Sequence, residues 1–400
     1  MWIKRRIQDL IEANTDPIQV FRGPRQCGKT SLVLHVSPSF REISLDDGNI
    51  RSLAERDPEL LLKQFDGENL FIDEAQYAPK LFPALKRRAD LYKRSRPTKP
   101  KTILRITGSN QILLDRTVKE SLAGRASFFD MNTLSVEEIL NFRNVPIQQI
   151  LYTGGWPELY NNPDNIREPN KYLDDYISSY IDRDIVLSAG IRRQKEFRKF
   201  VQMLAGRVGQ QISFSSIGQE CGIDTKTSIE WVSILEQMNT IRLVPPYSSN
   251  LTTRLVKSPK LFFIDTGLAC RLQGWTSSSP ILTSPQQGAL FENLVFSEIY
   301  KLNLNLQLGW NIYHWRSRDG EEIDFLIECK SGQFLFLESK ISSQPTKNIS
   351  KLREVKRIFK SQVPRSILVH MEGDFVLADQ VPIRHLADFL INFSQEIGTI

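Results

Sequence analysis

Cysteine is scarce and scattered: Cys27, Cys221, Cys270 and Cys329 are the only four in 400 residues, and none sits in a CxxC or Cys/His cluster. That spacing indicates neither a disulfide framework nor a zinc site, and it fits a reducing, cytoplasmic location. Long hydrophobic runs are missing as well. No stretch approaches the roughly 18 consecutive apolar residues of a membrane-spanning helix, so a soluble chain with no membrane partner is expected. The opening MWIKRRIQDLIEAN has the basic and apolar residues of a presequence, but Asp9 and Glu12 interrupt it and no cleavage site follows. It reads as an ordinary first helix. A strong charge excess is also lacking. The formal +6 is mild for this length and suits any basic soluble protein as well as one with a polyanionic partner.

What the chain does have is alternation. Up to about residue 150, apolar runs at 18–21, 41–45, 70–73, 102–107 and 127–131 alternate with helical segments. This predicts parallel strands joined by crossover helices, an α/β sheet.

Between the first run and a helix stands GPRQCGKT, Gly23 to Thr30, which fits GxxxxGK[ST] with both flanks in place. In such a P-loop the backbone N–H groups of Gly23, Arg25, Gln26, Cys27 and Gly28, with Pro24 holding the turn between them, face the phosphates, continued by Lys29, Thr30 and Ser31 at the helix start. Lys29 would bridge the terminal phosphates of ATP and Thr30 would ligate Mg²⁺. NLFIDEAQ supplies the partner: Asp73 ends a strand and would reach the Mg²⁺, and Glu74 is placed to activate water. A carboxylate after the strand-end Asp favours hydrolysis over transfer to a substrate, and disfavours a P-loop kinase. TILRITGSN ends another strand in Thr107, Ser109 and Asn110, either phosphate sensors or turn formers. Arg125 is either a transition-state arginine, acting in cis or on a neighbouring subunit of a homo-oligomer, or a surface ion pair.

Downstream, Tyr172, Leu173, Tyr176, Ile177, Tyr180 and Ile181 recur at helical spacing, an aromatic stripe read as core packing. Three helices and a hairpin then follow, with Ser213 near one N-cap and Asp224 at the next. That is a winged-helix pattern, whose third helix would bring Lys226, Thr227 and Ser228 to a major groove or serve as a lid or subunit contact. Lys86, Arg87, Arg88, Lys93, Arg94, Arg96, Lys99, Lys101 and Arg105 form a basic run that reads as a helix end and exposed loop. A Ser/Pro-rich linker spans 276–288.

Near the C-terminus Asp324, Glu338 and Lys340 fit D…ExK. Such a pattern arises by chance about once in a chain of this size, and Glu328-Cys329-Lys330 and Glu354-Val355-Lys356 are decoys. Context selects the first. Glu338 and Lys340 are two residues apart on one strand face, and a KSGQ turn joins them to the strand of Asp324. In that geometry Asp324 and Glu338 would hold Mg²⁺ or Mn²⁺, with Glu292 as a further ligand, and Lys340 would position water. The alternative is a degenerate fold that keeps its charges without cutting.

GPRQCGKT, LFIDEAQ, ITGSN and LAGR in this order, then GGWPE at 154–158, Arg183-Asp184, a winged helix and a nuclease-like segment, resemble prokaryotic AAA-superfamily ATP-binding proteins with a C-terminal domain of unknown function. The resemblance spans nearly the whole chain, although the basic loop at 93–101 is longer than the family pattern. It implies an additional-strand P-loop ATPase core with Lys29, Thr30, Asp73 and Glu74 in the usual roles. The expected organisation is therefore an ATPase domain at 1–150, a helical lid or linker at 151–195, a winged helix at 196–275 and a restriction-endonuclease-like α/β domain at 288–400. A nucleic-acid partner, DNA before RNA, is expected, with a protein partner as the alternative.

Overall fold

The computed structural model describes residues 2–95, 102–108, 112, 114, 121–161, 168–248, 258–316, 322–330, 333–341, 365–370, 375–376 and 382–390. Ser109, Asn110, residues 96–101 of the basic run and the charged segment at 346–361 lie outside them.

The first unit opens with α1 (Gln8–Ala13), β1 (Ile18–Arg22) and α2 (Lys29–Val36). It continues through β2 (Arg41–Ser44), α3 (Gly48–Arg56), α4 (Pro58–Lys63), β3 (Leu70–Asp73), α5 (Leu81–Ser95), β4 (Leu104–Thr107) and β5 (Ser127–Asp130). These strands form a parallel sheet in the order β2-β3-β4-β1-β5. The inner strands β1, β3 and β4 are buried on both faces, as their near-continuous apolar runs require, whereas the edge strands β2 and β5 are partly exposed. One face packs Leu61, Leu85, Ile72 and Ile106, and the other packs Ile7, Ile11, Leu32 and Phe129. Because β4 lies between β1 and β3, the loop after β1 and the carboxylate ending β3 face one crevice, at the carboxyl ends of the strands.

The sheet leads into α6 (Val136–Phe142), which starts with a reciprocal cap: Glu138 N donates to Ser135 Oγ (3.2 Å), and Ser135 N to Glu138 Oε2 (2.9 Å). Next come α7 (Ile147–Thr153), α8 (Pro157–Tyr160) and α9 (Pro169–Tyr176). The predicted amphipathic helix does not stay α-helical: Ile177–Ile185 is a π-helix, with a last α-turn at Val186–Ser188. Its stripe from Tyr172 to Ile181 is buried.

Three helices follow, α10 (Gln194–Ala205), α11 (Phe214–Cys221) and α12 (Thr225–Gln237), then an antiparallel pair, β6 (Ile241–Val244) and β7 (Lys260–Phe263). Ser213 caps α11 and Asp224 caps α12. After α13 (Thr266–Leu272), the 19-residue α14 (Gln287–Asn305) packs on β7 and on a second sheet. That sheet contains β8 (Asn311–Arg316), β9 (Glu322–Lys330), β10 (Gln333–Lys340), β11 (Arg365–His370), β12 (Phe375–Val376) and β13 (Pro382–His385), in the order β12-β13-β11-β10-β9-β8. β8, β9 and β10 are antiparallel neighbours, whereas β10–β11 and β11–β13 are parallel. One continuous hydrophobic core joins α6 to α14 and the inner face of this sheet. No described helix is long and apolar enough to cross a membrane.

Candidate functional site

The loop between β1 and α2 is built on two glycines that no other residue replaces. Gly23 has φ +153°, and a Cβ there would stand 2.3 Å from the Met131 carbonyl oxygen; Gly28 has φ +93° at the N-terminus of α2. Gln26 and Glu74 are two of the four non-glycine residues with positive φ among the described residues. Both line one cavity of about 550 Å³ with Arg25, Gly28, Lys29, Thr30 and Ser31. Lys29 is buried, and its Nζ donates to the carbonyls of Gly23 (2.9 Å) and Pro24 (2.8 Å), so the ammonium spans the loop.

Asp73 ends β3 and holds two hydroxyls. Thr30 Oγ1 lies 3.3 and 3.2 Å from its two carboxylate oxygens, and Thr107 Oγ1 at the end of β4 donates to it. Burial raises its pKa, Thr107 and Thr30 oppose the rise, and Glu74 adds to it. Glu74 accepts a hydrogen bond from Gln76 Nε2.

Several contributors were not legible beforehand. Arg5, ahead of α1, is buried behind the loop and donates to the carbonyls of Cys27 (2.8 Å) and Asn132 (2.7 Å). Pro157, Glu158 and Asn161, from and just after GGWPE, form the opposite wall with Tyr176, Ser179 and Tyr180. The tyrosine stripe thus packs the core and walls the cavity at once. Tyr180 is buried, and its hydroxyl has no hydrogen-bond partner among the described residues. An orphaned buried hydroxyl, a glycine cradle and a buried lysine beside a carboxylate–threonine pair fit a nucleotide with its divalent cation. Arg125 Nε pairs with Asp90 at 2.6 Å and does not line the cavity.

In the C-terminal half the strands bring Asp324, Glu338 and Lys340 together. Ser339 N and Oγ donate to Asp324 Oδ2 (2.9 and 2.8 Å), and Asp324 N donates to Glu338 Oε2 (3.2 Å). Lys340 Nζ sits 2.8 Å from Glu338 and 3.6 Å from Asp324. Glu292 on α14 does not stand free beside them. It binds Lys260 Nζ at 2.9 Å, and Lys260 also meets Glu322 at 2.7 Å. Burial lifts Glu292 to about 8, with Asp324 adding and Lys260 opposing. Glu338 rises to about 7 for the same first reason. Lys260 comes from β7, and a lone lysine before LFF carried no signal. No group of three or more His, Cys, Asp or Glu with metal-holding geometry occurs among the described residues.

At α12 the expectation for the groove-facing residues needs correction. Ser228 is fully buried against the core, and Thr227 Oγ1 is bonded to the capping Asp224 at 2.7 Å. Helical geometry turns Ser228 inward, and only Lys226 of the three is exposed.

Residues 15–140 match an AAA domain, and 146–279 and 287–386 each match a domain of unknown function (DUF8612 and DUF4143). An uncharacterized protein of Mycobacterium tuberculosis is 30% identical over 333 residues, covering 82% of this chain and 71% of its own length. The chain belongs to the family of that mycobacterial protein. A Methanocaldococcus jannaschii relative is 26% identical over 339 residues, 78% of this chain and 72% of its own. Among solved structures, a Walker-type ATPase of Pyrococcus abyssi aligns with TM-score 0.42 and 16% identity, covering 68% of this chain and 96% of its own. The ORC2 protein of Aeropyrum pernix, in ADPNP–ADP complexes, aligns with TM-score 0.35 and 12% identity, covering 63% and 85%. The family member described here is an AAA-type P-loop protein, and its GxxxxGK[ST] motif, Gly23–Thr30, lies within the matched AAA span.

Proposed function

We propose that the chain hydrolyses ATP at this loop with Mg²⁺. When bound, Mg²⁺ would neutralise phosphate charge, held by the Thr30 hydroxyl and Asp73. The chain's own residues do the rest. Loop N–H groups and Lys29 hold the terminal phosphates, and the tyrosine-lined wall limits water. Glu74 orients the attacking water and takes its proton at the carboxylate, while Gln76 fixes the Glu74 rotamer. The supporting observation is the carboxylate pair at the end of β3, with Asp73 on the Thr30 hydroxyl and Glu74 in the cavity wall beside Lys29. Glu74→Gln is expected to lower ATP turnover by about 10² to 10⁴, read by phosphate release, with ATP binding retained. Unchanged turnover would sink the assignment.

We take 1–150 as the ATPase domain, 151–195 as the lid, 196–275 as a winged helix and 288–400 as a restriction-endonuclease-like domain, the C-terminal half engaging DNA. Exposed cations at Arg192, Arg193, Lys195, Arg198 and Lys199 around the start of α10 favour phosphate contact over base reading. Lys340, Asp324 and Glu338 would form the cleaving centre, with Glu292 beside it. Lys260 favours a second reading, a nucleotide-dependent switch that binds DNA or protein without cutting. Its ammonium already pairs with Glu292 and Glu322 next to Asp324. With Arg125 held by Asp90 of its own chain, a role between subunits of a homo-oligomer would require that pair to open.

A further inference from the structure

Arg25 lies within the phosphate-binding loop, four residues before Lys29, and lines the same cavity as Lys29, Thr30 and Glu74. A guanidinium there suits bidentate contact with phosphate oxygens. In the structure it has another anion: it pairs with Asp184 near the end of the π-helix, 159 residues away in sequence. The next loop residue is tied to the same helical segment, since Tyr172 Oη donates to Gln26 Oε1 at 2.6 Å. Asp184 also holds a second cation, Arg183 Nε at 3.1 Å from Oδ1, so releasing Arg25 does not strand its charge. Arg25 and Glu74 line the same cavity, so the guanidinium shares it with the carboxylate proposed to activate water. Side chains that are 36% and 23% exposed form a weak pair that a polyphosphate outcompetes.

We propose that Arg25 distinguishes a nucleoside triphosphate from a diphosphate, and that Asp184 sets the margin by competing with the terminal phosphate for its guanidinium. A triphosphate draws Arg25 inward and frees the π-helix from the loop; a diphosphate leaves the Arg25–Asp184 pair closed. π-Helical turns recur at functional segments, in keeping with this placement.

The inference rests on nucleotide binding at the P-loop, and calorimetric titration of the full chain with AMP-PNP and with ADP, both with Mg²⁺, tests the two separately. Asp184→Asn is expected to tighten AMP-PNP binding about fivefold, the fold-change of a surface ion pair, with ADP unchanged. Arg25→Gln is expected to weaken AMP-PNP about tenfold or more and ADP less than twofold. Equal shifts for both nucleotides, or none, in either folded variant overturn the inference. Because Arg25→Gln reads the same ratio, it decides the matter should Asp184→Asn fail to fold. Lys29→Ala is the control: retention of both nucleotides by that variant would defeat the P-loop reading itself, whereas its losing both while the ratios in the other variants stay fixed would defeat only the role of Arg25.

Discussion

At the scale of single residues, the nucleotide loop depends on what its glycines lack. A Cβ on Gly23 would meet the Met131 carbonyl at 2.3 Å, with backbone rather than a yielding side chain as the obstacle. Gly23→Ala is expected to displace the loop from the end of β5 and weaken ATP binding at least about tenfold, since the loop N–H groups lose their aim. Titration with a fluorescent ATP analogue checks this, and wild-type affinity would contradict it. GxxxxGK[ST] and the LFIDE run were readable because the chemistry demands those residue types at fixed local spacing. The contacts of Arg5, Lys260 and Asp184 were not, because each meets its partner across the fold, although Arg183-Asp184 stood out as a motif. Arg5 is 22 residues from Cys27 and 127 from Asn132, and sequence spacing carries no trace of such meetings.

At the scale of elements, a buried chain of polar contacts ties α14 to the P-loop. Val136 N, at the start of α6, donates to Glu298 Oε2 on α14 at 2.6 Å; Lys301 meets Glu298 at 2.9 Å and donates to the Leu134 carbonyl at 2.9 Å. On the same α6, Glu138 pairs with Arg5 at 3.2 Å, and Arg5 holds the Cys27 carbonyl. Burial raises the Glu298 carboxyl above its ordinary 4.5, with Lys301 opposing. The folded state therefore holds that proton more tightly than the unfolded chain. Its contribution to stability is complete below pH 4.5 and fades as pH rises through the elevated folded value. Glu298→Gln keeps an acceptor for Val136 and removes the titration. As pH rises above the ordinary 4.5, its unfolding free energy from urea melts should fall less steeply than wild type, by at most about 1.4 kcal/mol per pH unit. Parallel slopes would remove Glu298 as a contributor.

At the scale of the whole molecule, the AAA sheet keeps its own two core layers, while the helices between Ile147 and Ser188, the helix–hairpin unit and the C-terminal sheet share one. Lys260 is the polar counterpart of that shared core, a buried cation from β7 between Glu292 of α14 and Glu322 of β9. Lys260→Met is expected to cost about 3 to 5 kcal/mol in urea unfolding, and adding Glu292→Gln and Glu322→Gln should recover most of it. If the lysine stands in for a divalent cation, Mn²⁺ should raise the Tm of Lys260→Met and leave wild type unmoved, with no DNA cleavage by wild type in Mg²⁺ or Mn²⁺. Cleavage by wild type that is lost in Lys340→Ala would instead favour the nuclease reading.

The sequence by itself determined the parallel strands of the first sheet, the phosphate loop, Asp73 and Glu74, and the caps at Ser213 and Asp224. All of these are written in local periodicity and short spacing, which the backbone obeys wherever it lies. Tertiary structure alone decided that β4 separates the loop from Asp73, that Asp184 reaches Arg25, and that Lys260 fills the acidic cluster. Those depend on contacts between residues tens to more than a hundred positions apart, which packing selects and local pattern does not encode.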